Sequence, residues 1–322
     1  MVVLALVFFV NAILTLWWDW PGAFAFLNHI GVPGFSEYAT ALTGTAVALG
    51  AGQALSYPIA LVAVIWWIGR QQGSIDRDAA LYSGFAALVV RTAFWSAVLI
   101  GVADAAISFV RVEGLMSGLF SEKLASNLGL STFRGNYVHY PLMVIAFVIA
   151  ALTRSLSFVW LALLVVLAEF QIVISRFVFS YEQAFMGDLV RFWYSGLFLI
   201  ASAHTLVEEG HVRVDVLYAR LSERSKAWAN VAGCTFLGLP LCWTILIIGM
   251  WSKGSSLSSP LLNFEISQSG YGMYVKYLMA GFLVVFAVSM IIQFSSYLLS
   301  NGSILTSSRT ESAQDHSGVT QR

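Results

Sequence analysis

Long apolar runs, separated by short polar breaks, decide what this chain can fold into. A helix needs about 20 predominantly apolar residues to cross a hydrocarbon core of ~30 Å, and run after run here meets that length. Lipid offers no hydrogen bonds, so a crossing segment satisfies its backbone internally, as a helix does. Charge points the same way: only 11% of the 322 residues are charged, and mean hydropathy is +0.78. A soluble domain carries roughly 25% charged residues, so these few could not cover a surface facing water. Formal net charge is zero and no basic block occurs, which argues against nucleic acid as a partner. The expected fold is an all-α integral membrane protein with about eight transmembrane helices.

Residues 1–18 form the first run, closed by Trp17, Trp18 and Trp20, aromatic residues of the kind that mark a membrane interface. It lacks the basic start of a secretory signal and reads as a retained helix. Ala23-Phe24-Ala25 resembles a cleavage site, which leaves a cleaved signal as the alternative. Pro21, Gly22, Pro33 and Gly34 interrupt 19–43, and a second run extends from about Thr43 to Ile68 around Pro58. A third, Ala79 to Val110, exceeds one span and holds Arg91 and Asp104. Ionisable groups at membrane depth are costly and often functional. The plainer reading is a tilted helix, with Arg91 against a neighbour and Asp104 near the interface.

Leu115, Leu119, Phe120, Leu124 and Leu128 recur at helical spacing in the mixed stretch 111–136, which predicts one helix lying in the interface. Further spans are expected over Tyr137–Thr153, Phe158–Arg176, Asp188–Glu208, Trp228–Trp251 and Met273–Leu299, with Ser222 as an N-cap before the fourth of these. The tail 301–322, polar and rich in Ser and Thr, reads as disordered. Three regions follow: 1–153 with about four helices, 154–300 with four, and the tail.

Orientation follows from Lys and Arg in the loops. With the N-terminus cytoplasmic, the inside loops hold nine: Arg70, Arg77, Arg154, Arg213, Arg220, Arg224, Lys226, Arg309 and Arg322. The outside loops hold three, Lys123, Arg134 and Lys253, with Arg111, Arg176, Arg191 and Lys276 at outer helix ends. Both termini are therefore expected in the cytoplasm.

Chemistry concentrates in 169–227. Arg176 and Arg191 flank a loop whose other charges are Glu182 and Asp188. Asp188 could pair with Arg176, or with Arg191 at i,i+3, tying two helix ends together. After the next helix, His211, Arg213 and Asp215 alternate with Val212, Val214 and Val216, so one row faces water or a partner and the other apolar surface. Such charges serve equally to anchor a hairpin at the interface. Glu169 sits within a span, as a proton relay, a cation ligand or an interhelical hydrogen-bonding group. His139 and His204 are the histidines in or near spans, which gives a haem-bearing redox anchor little support. Cys234 and Cys242 lie eight residues apart in one helix, about 12 Å, too far for a disulfide. No nucleophile–base pair, phosphate loop or zinc spacing occurs, so no catalytic, cofactor-binding or metal residues are expected.

The order of these motifs resembles the small membrane subunit, often called the Q subunit, of tripartite ATP-independent periplasmic (TRAP) transporters. Arg176-Phe177-Val178-Phe179 matches an Arg-aromatic-Val-Phe helix end, and Asp188-Leu189-Val190-Arg191 matches an acidic-Leu-x-Arg signature. Gly210-His211-Val212-Arg213-Val214-Asp215 matches Gly-His-Ile-Arg-Val-Asp, and Leu221-Ser222 a Leu-Ser turn. Phe185, Gly187 and Glu209 depart from the usual Trp, acidic residue and Gly. The likeness covers roughly 154–300 and leaves the first half outside the family pattern.

The resemblance implies a scaffold without catalysis, bound to a large permease subunit that carries the substrate and sodium sites. An extracytoplasmic solute-binding protein would deliver a small solute, commonly an organic acid. The loop from Arg176 to Arg191 would face that protein. His211, Arg213 and Asp215 would meet the large subunit or lipid headgroups on the cytoplasmic side of a bacterial inner membrane. Two rivals are a membrane-embedded redox subunit and a self-sufficient transporter lined by Arg91, Asp104 and Glu169. The missing inverted repeat weighs against the latter.

Overall fold

The structure, a computed structural model, describes residues 1–34, 42–70, 74–153, 158–207, 218, 220–267 and 271–319, without the side chains of Phe158, His204, Val207 and 307–319. These residues form helices and turns and no strand. In order they are α1 (Val2–Trp17), α2 (Ala23–His29), α3 (Thr45–Arg70), α4 (Ile75–Val112), α5 (Met116–Leu119), α6 (Glu122–Leu128) and α7 (Ser131–Leu152). Then come α8 (Phe158–Phe179), α9 (Ala184–Val207), α10 (Glu223–Gly249), α11 (Ser258–Asn263) and α12 (Lys276–Val319). Among the described residues, seven helices are long and apolar enough to cross a membrane: α3, α4, α7, α8, α9, α10 and α12. The first apolar run gives α1, a shorter helix of 16 residues.

Local chemistry sets several helix ends. Ser74 caps α4, its hydroxyl accepting from Arg77 N at 3.4 Å, and Asp76 and Asp78 sit in the first turn, where carboxylates complement the positive end of the helix dipole. Ser222 caps α10, accepting from Ser225 N at 3.3 Å. Both α7 and α10 contain a π-helical turn, at Gly135–His139 and Cys234–Gly238. Each turn ends one residue short of a Tyr-Pro or Leu-Pro pair, at Pro141 and Pro240. A proline lacks the N–H and its ring crowds the carbonyl four residues back. The ladder widens there: Tyr140 N donates to Gly135 O and Leu239 N to Cys234 O, five residues back.

The single interfacial helix expected over 111–136 is not formed. Gly114 has φ +68° and Phe120 is extended, so the stretch divides into α5, α6 and the start of α7. Helical spacing survives only in pieces: Leu128 is buried, whereas Leu115, Leu119 and Leu124 are exposed. The last helix also runs on to Val319, into the polar tail whose composition predicts disorder.

Helix α4, 38 residues long and thus about 57 Å, is the hub. It packs against α7, α9 and α12, and α12 also contacts α9, α10 and α1. The first half of the chain therefore shares its core with the second. Trp193 of α9 lies in a notch at Gly101 of α4, where a Cβ would come within 2.3 Å of the indole nitrogen. That nitrogen donates to Ala97 O at 3.0 Å. Ser296 of α12 donates to Ala79 O at 2.7 Å. By contrast α3 packs on α1 and α2, and α8 on α9, and both leave long apolar faces exposed.

Candidate functional site

One end of the bundle carries the connections around 18–22, 113–134, 180–184, 251–267 and 271–275, joined by contacts such as Lys253–Asp19, Tyr181–Glu113 and Tyr274–Gly129, and next to them lies a buried ionic cluster. Asp104 on α4 is fully buried, as are Arg134 and His139 on α7. Arg134 Nη1 donates to Asp104 Oδ1 at 2.9 Å and to Ser108 Oγ at 3.0 Å, while its Nε donates to Leu128 O at 2.6 Å. His139 Nε2 lies 3.2 Å from the same Asp104 oxygen, and its Nδ1 is 2.7 Å from the hydroxyl of Tyr277. The π-helical turn of α7 separates Arg134 from His139 and brings both toward α4. Its Gly135 is required by packing, since a Cβ there would stand 2.2 Å from the ring of Phe264.

The second carboxylate oxygen of Asp104 accepts the backbone N–H of Tyr274 at 2.7 Å. One residue earlier, Met273 N donates to Asp188 Oδ2 at 3.0 Å, which also accepts from Ser267 Oγ at 3.0 Å. Two carboxylates from different helices thus hold adjacent amides of the segment that leads into α12. Two cations lie over the Tyr274 ring: the guanidinium carbons of Arg134 and Arg111 are 4.2 and 4.7 Å from its centroid. Its hydroxyl donates to Gly129 O at 2.9 Å and is also contacted by Arg111, whose Nη2 reaches Gly272 O at 3.0 Å. Charges buried this deeply persist only when paired and hydrogen-bonded; Asp104 and Arg134 pair with each other, although Arg134 Nη2 makes no hydrogen bond among the described residues.

The other predicted residues are scattered. Arg91 donates to Ala150 O near the end of α7 at 3.2 Å. Glu169 is exposed on the outer face of α8. Arg176 pairs with Glu182 at 3.4 Å, not with Asp188. Asp188 and Arg191 approach to 3.6 Å, with Arg191 largely exposed. His204 falls in α9 by backbone, its side chain outside the described residues, as are His211, Arg213 and Asp215 altogether. Tyr181 donates to Glu113 at 2.5 Å beside the cluster. Burial and that carboxylate push its phenol up to about 12.

Sequence marks out Asp104 and Asp188 but not the partners Arg134, His139, Met273 and Tyr274 that hold them. Arg134 reads as a loop charge, and Tyr274 and Tyr277 belong to no motif. The available signal was the cost of an intramembrane carboxylate, which demands a cation or several donors nearby.

No curated protein and no solved structure matches the chain. Residues 162–299, from α8 to the middle of α12, match the family model for the DctQ component of tripartite ATP-independent periplasmic transporters. Asp188 and the amide it holds fall inside that match, and Asp104 and Arg134 fall in the additional helices before it. Through this stretch the chain is similar to the small permease component of TRAP transporters.

Proposed function

We propose that the chain is the scaffold subunit of a TRAP-type secondary importer in a bacterial inner membrane. It works with a large permease subunit, which holds the substrate and sodium sites, and with an extracytoplasmic solute-binding protein. The cargo is a small solute of the organic-acid class, and a sodium gradient drives its uptake. Both termini lie in the cytoplasm, which the nine-to-three distribution of loop cations supports, and the end carrying the ionic cluster faces outward.

One observation carries the scaffold reading. Asp104, Arg134, His139 and Asp188 are spent on fixing this chain's own connections, with no face turned to a passage. The exposed apolar flank of α8, with Phe170, Phe177 and Phe179, supplies a surface for the large subunit. The test is reconstitution. Liposomes holding this chain and the large subunit, with the binding protein outside, should accumulate solute down a sodium gradient, and this chain alone should not. Uptake by the chain alone overturns the scaffold assignment.

A further inference from the structure

Between α4, α7 and α12, with Trp17 of α1 and Leu261 of α11 at its edge, lies an open cavity of about 470 Å³. That volume falls in the ~300–1,000 Å³ range of small-molecule sites. Its walls come from helices long and apolar enough to cross a membrane, so what enters it comes from the bilayer. Four lining residues carry hydroxyls, Tyr140 among them, and three are engaged: Thr92 donates to Leu88 O, Ser96 to Thr92 O, and Tyr277 meets His139. The remaining wall is overwhelmingly apolar. Trp17 and Phe147 at the rim are about half exposed, 44% and 50%, so the cavity opens sideways.

The end of this groove nearest the ionic cluster is bordered by two exposed ion pairs. Lys276, next to lining Tyr277, pairs with Glu265 at 2.5 Å. The carbonyl of Glu265 accepts Tyr277 N–H at 3.1 Å, which ties the backbone of that pair to a lining residue. Asp19, two residues beyond lining Trp17, pairs with Lys253. The four groups sum to zero charge, and each cation has an anion beside it.

We propose that this groove is a phospholipid site. One acyl chain lies along the apolar wall, and the headgroup rests on the two ion pairs. A phosphate there meets Lys253 and Lys276, but also two carboxylates, so a headgroup that carries an ammonium as well matches both signs. An anionic headgroup without the amine leaves Asp19 and Glu265 facing negative charge. The site is therefore assigned to an aminophospholipid in the leaflet at this end.

The test uses the full chain, delipidated in mild detergent and read by native mass spectrometry and thermal shift. Three probes are added separately: phosphatidylethanolamine with long chains, the same headgroup with six-carbon chains, and long-chain phosphatidylglycerol. Long-chain phosphatidylethanolamine should give a retained one-lipid adduct and a raised melting temperature. Phosphatidylglycerol should be retained about tenfold less, and the short-chain lipid should not be retained. Gly281→Phe, which fills the groove, should lose the adduct, whereas Gly281→Ala should keep it, since a Cβ there meets nothing closer than Leu261 Cδ2 at 3.8 Å. Should Gly281→Phe fail to fold, the chain-length comparison on the natural sequence decides alone. No adduct, or equal retention of the short-chain lipid, overturns the groove assignment. Equal retention of phosphatidylglycerol overturns the headgroup assignment.

Discussion

Tyr274 N–H donates to Asp104 Oδ2 at 2.7 Å, across 170 residues of chain. That bond joins a helix outside the family match to the connection that starts the last helix inside it. The neighbouring amide, Met273, is held by Asp188 of the acidic-Leu-x-Arg signature. The added helices are therefore built into the same connection that the family signature holds.

Removing Asp104 alone strands a buried guanidinium. Asp104→Ala should destabilise the chain by about 3–5 kcal/mol, the usual consequence of breaking a buried pair. Asp104→Leu combined with Arg134→Met should cost less than either single change, because no charge is left unpaired. Thermal unfolding in detergent checks this, and a double variant less stable than both singles contradicts it.

Gly135→Ala drives a methyl group into the Phe264 ring. Overpacking of this kind costs about 1–3 kcal/mol. Phe264→Leu in the same chain should recover much of the loss. If the pair behaves additively, the contact is not the cause.

Tyr181 should titrate at about 12. A folded-state value above the ordinary 10 means the Glu113 contact stabilises fully below pH 10 and is lost as pH rises through about 12. Glu113→Gln should bring the phenol back toward its ordinary value. Ultraviolet difference titration against Tyr181→Phe isolates this one tyrosine, and an unmoved titration in Glu113→Gln would discount the contact.

Association with the large subunit tests the proposed assembly. Arg213→Ala should weaken retention of that subunit in a pull-down more than Lys253→Ala does. Equal retention by both variants argues against a subunit contact at residues 211–215.

Patterning made the helices legible. Runs such as 158–179 and 276–299 are too long and too apolar to be anything but bilayer-length helices, and backbone in lipid has to satisfy itself. The serine cap of α10 was equally readable, because capping is a contact between residues three apart. The stretch 111–136 misled for the opposite reason. Its leucines keep a helical period, but Gly114 and the extended Phe120 override periodicity at single positions.

Sequence by itself determined the medium, the approximate span count and, through three ordered motifs, the likeness to a transporter subunit family. Those depend on neighbours in the chain: hydropathy, spacing and capping are local quantities. Only the tertiary structure decided what the costly residues were for. Asp104 needed Arg134, His139 and the Tyr274 amide, and Asp188 needed Met273, none of them near in sequence. Helix packing chooses such partners, since a buried charge is tolerated only where the fold delivers its counter-charge and donors together.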